Sequence, residues 1–247
     1  MLAEHLAVAA FVLMLIYIYS KSAFAGFIAW ITLAFACLAK IPDFLSREDY
    51  FNVAVSTLVI TFFFFLALVV IRKNSNIIRE IATLLAIACA IYFPFSFIPS
   101  LKMAIIKITA KLTVLLGNAL GFPMILNGNI IELNGTSIEI ILPCTAIEGI
   151  SVFAGVTLGI KAEFGRKLRA FLISISTIYI YNLFRNVFVV ASCAYSWFGE
   201  NSFYIFHNFI AKIFSTLVFV VVVYTVFRIL PELLKLLYTL KDEIIIE

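Results

Sequence analysis

The chain has 247 residues, of which 64% are hydrophobic and 13% charged, with a formal net charge of +4. That leaves too little polar surface to cover a water-soluble globule, so the expected class is an all-α polytopic membrane protein with no soluble domain. The small positive balance fits an excess of Lys and Arg on cytoplasmic loops and does not argue for nucleic acid. Four Cys and two His give no metal-ligand spacing and no C-x-x-C pair, so neither a metal nor another cofactor is expected.

Apolar runs long enough for a hydrocarbon core of roughly 30 Å recur along the chain. They predict seven spans, at residues 6–19, 23–38, 51–71, 81–98, 145–160, 170–195 and 204–227. The first run lacks a basic flank and a small-residue cleavage site, so it reads as a retained span and not a signal peptide. Only Ser20, Lys21 and Ser22 separate the first two runs, which form either a tight helical hairpin or one long broken helix. Basic residues then set the orientation. Arg72, Lys73 and Arg79, then Lys161, Arg166, Lys167 and Arg169, then Arg228, Lys235 and Lys241 mark cytoplasmic segments. Alternation places residues 40–50, 99–143 and 196–203 outside a cell membrane, with the N-terminus outside and the C-terminus cytoplasmic. Eleven Lys or Arg then face the cytoplasm and five the exterior. The organisation expected is one integral membrane domain, 1–247. It comprises N-terminal spans (1–100), an external stretch (101–143), helices bearing the candidate site (144–229) and a cytoplasmic tail (230–247).

Within the external stretch, Lys102, Lys107 and Lys111 lie among Leu, Ile and Val, the pattern of an amphipathic helix at the outer interface. The period then changes. Residues 124–129, 130–133 and 136–141 read as short strands with Asn-Gly turns, a small external β-hairpin leading to Cys144. Pro143 ends the extended run and a helix begins. Thr145 and Glu148 have capping-box spacing, the hydroxyl on the amide of Glu148 and the carboxylate on the amide of Thr145. Cys144 then sits just ahead of the first turn, where free amides and the helix dipole favour a thiolate. Cys37, Cys89 and Cys193 lie in apolar runs and read as small buried hydrophobes, with a Cys144–Cys193 disulfide as an alternative.

Ionisable groups inside spans are costly and each calls for a role. Arg185 follows Arg169 by sixteen residues, which lifts it about 24 Å along a helix toward the outer face. Asn182, three residues earlier, shares its side and is placed to orient the guanidinium. His207 falls about 6 Å below the outer boundary, at the depth of Cys144. A thiol, an imidazole and a guanidinium at one level are the parts of a cysteine acyl-transfer site: nucleophile, acid/base and oxyanion stabiliser. Snorkelling by Arg185 and interfacial anchoring by His207 are the structural alternatives. Lys212, deeper on the last span, has no assigned partner.

Pro143-Cys144-Thr145-Ala146-Ile147 leading into a membrane helix, Asn182-x-x-Arg185 in a later one and His207 at the start of the next resemble the archaeosortase and exosortase family of membrane transpeptidases. The motifs occur in the family's order across the C-terminal half. Ala146 stands where the family commonly has Gly, a small, helix-compatible replacement, and His207 matches the branches with His at the third position. The resemblance implies cleavage of exported proteins near the C-terminus and transfer to an acceptor, plausibly a lipid head group. Clients carry a recognition motif, a transmembrane helix and a basic tail. Cys144 would attack the client carbonyl, Arg185 would stabilise the oxyanion and His207 would protonate the leaving amine. The competing readings are a transporter, with Arg185, His207 and Lys212 lining a path, and a non-catalytic membrane scaffold.

Overall fold

A computed structural model describes residues 2–245. Among them, six helical stretches are long and apolar enough to cross a bilayer: Leu2–Ser20, Ala23–Ser46, Tyr50–Arg72, Asn76–Phe97, Phe164–Ala194 and Gly199–Ile229. With one small sheet besides, the chain is an all-α polytopic membrane protein. The backbone divides into two units, Ala88–Pro231 and the stretch before it together with the helix after it.

The N-terminal unit contains α1 (Leu2–Ser20), α2 (Ala23–Leu38), the short α3 (Ile41–Ser46), α4 (Tyr50–Arg72), the first half of α5 (Asn76–Phe97) and the C-terminal helix Pro231–Ile245. Lys21 takes a left-handed conformation and the Ser22 hydroxyl accepts the amide of Ala25, so α1 ends and α2 starts within three residues. The two pack as a hairpin, which decides between the two arrangements open to the sequence. Gly26 lets the helices close. A Cβ there would lie 2.6 Å from the Tyr17 ring and 2.7 Å from Val70, a contact only glycine permits. Around it pack Met14, Trp30, Leu66 and Ile78. One asparagine ties the helix ends: Asn74 accepts from the Tyr17 hydroxyl (3.1 Å) and from Arg79 Nη1 (3.2 Å) and donates to the Lys21 carbonyl (2.6 Å).

The second unit builds the site. Ile98 is extended ahead of Pro99, which opens α6 (Pro99–Ala119). Ile106, Thr109, Ala110, Thr113, Val114 and Gly117 form its buried face at helical spacing, while Lys107 and Lys111 are exposed, the amphipathic pattern expected. Asn118 then closes the turn by accepting from the Met124 amide at 2.7 Å and donating to its carbonyl at 3.2 Å. The following strands, β1 (Ile125–Asn127), β2 (Ile130–Leu133) and β3 (Thr136–Glu139), form an antiparallel meander in the order β1-β2-β3 and fall within the three short runs expected of the external hairpin. Both glycine-containing pairs reverse the chain: Gly128-Asn129 with positive φ at the glycine, Asn134-Gly135 with positive φ at both residues. Ile131 and Leu133 alternate into a core with Ile106, Ala110, Val187, Val190 and Ala191.

After a 3₁₀ turn (Leu142–Thr145) come α7 (Ile147–Gly159) and α8 (Phe164–Ala194), then a 3₁₀ turn (Gly199–Asn201), α9 (Ser202–Ile205), a π-turn (Phe206–Ile210) and α10 (Ala211–Ile229). The fifth expected span, 145–160, is therefore corrected. Its helix has 13 residues and is about 20 Å long, two thirds of a hydrocarbon core. Three of its expected residues are absorbed by the turn and the left-handed residue before α7 and by the extended Ile160 after it.

Asn74→Ala removes three side-chain hydrogen bonds at once and is expected to destabilise the N-terminal helices by about 3 kcal/mol. Thermal unfolding of the purified chain in detergent measures the effect, and an unchanged midpoint would show that these bonds contribute nothing net.

Candidate functional site

Leu142–Thr145 makes a single tight turn because Pro143 has no amide to donate and a fixed φ, and the Cys144 amide closes the turn on the Ile141 carbonyl at 2.8 Å. Ala146 then has φ +60°, in the left-handed region, so the turn and α7 are not one continuous helix. This overturns the expected capping box. Thr145, fully buried, donates its hydroxyl to the Leu142 carbonyl (2.7 Å) and accepts the amide of Ile147 (3.4 Å), because Ala146 separates it from the helix it was to cap. Glu148 does not reach back. It is exposed, and one carboxylate oxygen accepts from the Tyr92 hydroxyl at 3.4 Å. The reading of Ala146 as an ordinary helical residue is corrected with it.

The break leaves the Cys144 carbonyl outside the α7 ladder, whose first bond runs from the Ile150 amide to the Ala146 carbonyl. Two side chains of α8 take it instead. Asn182 donates to that oxygen at 2.7 Å and Asn186 at 2.9 Å. Asn182 was expected to orient Arg185; its amide goes to Cys144. The Cys144 side chain is half-buried, packed against the core beside Val187 and Ile147. Because α8 runs on for eight residues beyond Asn186, the clamped carbonyl lies about 12 Å along that helix from its C-terminal end. All four cysteines are free, so the Cys144–Cys193 bridge is not formed.

Arg185 lies between the two asparagines in sequence and at one edge of the arc of about 100° that the three side chains share on α8. Its Nη2 is 3.0 Å from Nε2 of His207, and the other ring nitrogen, Nδ1, is 3.0 Å from Oδ1 of Asn208. A guanidinium has only donors, so Nε2 is the acceptor in this contact, an arrangement that suits a proton on Nδ1 facing Asn208 Oδ1. His207 sits in the π-turn, where the Ala211 amide reaches back five residues to the Phe206 carbonyl, and its ring stacks on Phe203 with centroids 5.0 Å apart. One turn further along, Tyr181 donates to the Ala211 carbonyl at 3.1 Å and pairs with the Ser215 hydroxyl at 3.2 Å, fastening α8 to α10. Thus Asn182 meets the backbone of Cys144, Arg185 meets His207, Thr145 underpins the turn, and Glu148 goes to Tyr92. Asn186 was missed in the sequence, although a second Asn four residues after Asn182 in an apolar span was a legible signal.

The family model for transmembrane exosortases matches residues 2–227. The chain belongs to the transmembrane exosortase family. Its coarse activity is therefore that of a membrane-embedded protein-sorting transpeptidase. Among curated proteins it is 24% identical over 245 residues to archaeosortase A of Haloferax volcanii, covering 85% of this chain and 81% of that protein. It is 25% identical over 120 residues to archaeosortase A of Natronomonas pharaonis, covering 41% of this chain and 38% of that one. No solved structure matches.

A left-handed alanine costs about 1–2 kcal/mol that glycine avoids, against a smaller entropic loss on the unfolded side. Ala146→Gly is accordingly expected to raise stability by up to about 1 kcal/mol, and Ala146→Val to lower it, as read by thermal unfolding in detergent. Destabilisation by glycine would argue against the left-handed turn.

Proposed function

We propose that this family member is a cysteine transpeptidase with Cys144 as nucleophile, His207 as general acid/base and Arg185 as oxyanion stabiliser. The observation that supports it is that one turn of α8 holds both the backbone of the thiol-bearing residue, through Asn182 and Asn186, and the imidazole, through Arg185. In this mechanism His207 starts as the base, with Nε2 accepting from Arg185. Taking the thiol proton at Nε2 makes that nitrogen a donor, and two cations no longer share a hydrogen bond. The guanidinium is thereby released when negative charge develops on the client carbonyl. Cys144 Sγ bonds to the carbonyl carbon, the C–N bond breaks, and the imidazolium returns its proton to the leaving amine. The acceptor nucleophile then gives its proton to His207, attacks the thioester and restores the thiol.

The client class is an exported protein with a C-terminal signal made of a short recognition motif, a transmembrane helix and a basic tail. A membrane lipid head group is the acceptor. Arrest of the client helix in the cell membrane brings its preceding residues to the thiol from the extracytoplasmic side, the side that the basic loops leave for the site. Thr145 supports the nucleophile's turn and Glu148, with Tyr92, stands near it.

Surface proteins from a host carrying Cys144→Ala are expected to keep their C-terminal helix and tail, and those from a host with the native chain to lose them, by intact mass and C-terminal peptide mapping. Identical profiles, with the variant stably expressed and client-like proteins present, would remove the nucleophile assignment. Arg185→Ala is expected to lower turnover by about 10²-fold or more without lowering expression. Client processing at the native rate in that variant excludes the oxyanion role.

A further inference from the structure

A backbone carbonyl has two lone pairs, and one donor suffices to compensate its burial. The Cys144 carbonyl has two, from side chains that are themselves 6% and 4% exposed. Burying two amides in an apolar span is costly, and each could have been replaced by an aliphatic side chain while the other satisfied the oxygen. Two donors converging from successive turns of a rigid helix do something one cannot: they fix the direction of the acceptor, hence the plane of the Cys144–Thr145 peptide. The Cα–Cβ bond of Cys144 follows from that plane and from the Ile141 bond to its amide. Arg185 projects from the same turn, so the thiol and the group holding His207 are referred to one piece of helix.

We infer that Asn182 and Asn186 together are positioning residues for the Cys144 thiol, a role that rests on the transpeptidase reading for its chemical consequence. A purely structural role makes a different prediction. If the pair only satisfies a buried carbonyl, either asparagine alone is enough and only the double variant suffers. If the pair aims the thiol, each single variant loses activity while the carbonyl stays bonded.

The test is Asn182→Leu, Asn186→Leu and the double variant in the full chain, with Asn→Ser at the same positions where leucine fails to fold. Each single variant is expected to unfold within a few degrees of the native chain and to process clients about 10-fold more slowly per folded enzyme, the double variant about 10²-fold. Native rates in both folded single variants, with loss only in the double, overturn the inference. A second readout needs no client: alkylation of Cys144 by N-ethylmaleimide, followed on the Cys144 peptide by mass spectrometry. Its rate is expected to change several-fold in each single variant, and an unchanged rate in both also overturns the inference. Altered alkylation beside a Cys144→Ala chain that still processes clients would instead overturn the transpeptidase reading and leave the positioning role standing.

Discussion

The unit that carries the candidate site depends on one constraint: the 3₁₀ turn that carries Cys144 does not run on into α7. Pro143 and left-handed Ala146 take the thiol-bearing residue out of the regular ladder, so its carbonyl must find donors elsewhere. Those donors come from α8. An interrupted backbone in an apolar protein is tolerated only where other side chains complete it, and here that completion joins two elements nearly forty residues apart in sequence. The same break frees the 142–146 segment from helical side-chain directions, which is what a residue presented to a substrate requires.

α8 then acts as the common ruler. Within one turn it gives Asn182 and Asn186 to the Cys144 carbonyl and Arg185 to His207, and Tyr181 fastens it to α10 just beyond. The π-turn matters to this geometry because one extra residue per turn rotates everything before Phe206 relative to α10. A guanidinium in an apolar interior is usually compensated by a carboxylate. Arg185 has the His207 imidazole instead, and no ion pair among the described residues. Its positive charge is left available to a group that becomes negative only during a reaction, the condition under which electrostatic stabilisation favours a transition state over a ground state.

Much of the fold was legible because its signals are periodic. Apolar runs bounded by charge locate the six long helices, helical spacing locates the buried face of α6, and glycine-bearing turns locate the strands. The errors lie where one residue's backbone conformation decides. Thr145 and Glu148 have the spacing of a capping box, and only the φ of Ala146 shows that they cannot form one. Alanine is the best helix former in isolation, so its identity pointed the wrong way, whereas glycine at that position would have announced a turn. Arg185 and His207 were recognisable as costly polar groups in spans, but the hydrogen bond between them was not. Asn182 faces Arg185 by helical spacing and nonetheless turns to Cys144, a contact fixed by tertiary packing alone.

α8 continues for eight residues past Asn186, and what packs there forms the surroundings of the site. Above the Asn182–Asn186 turn, Phe122 packs on Phe188 and Tyr195, Phe188 on Trp197, and Trp197 on Phe206, next to His207. The sheet closes over the end of α8, where Asn134 donates to the Ala194 carbonyl at 2.9 Å. Rings and sheet together gather apolar side chains at this end of the unit. Asn182 and Asn186 are themselves buried, so their bonds to the Cys144 carbonyl act in a lower dielectric than water and are stronger for it. On the proposed mechanism, a thioester formed beside this packing would meet a bound acceptor more readily than bulk water, so the apolar surroundings that α8 completes would favour transfer over hydrolysis.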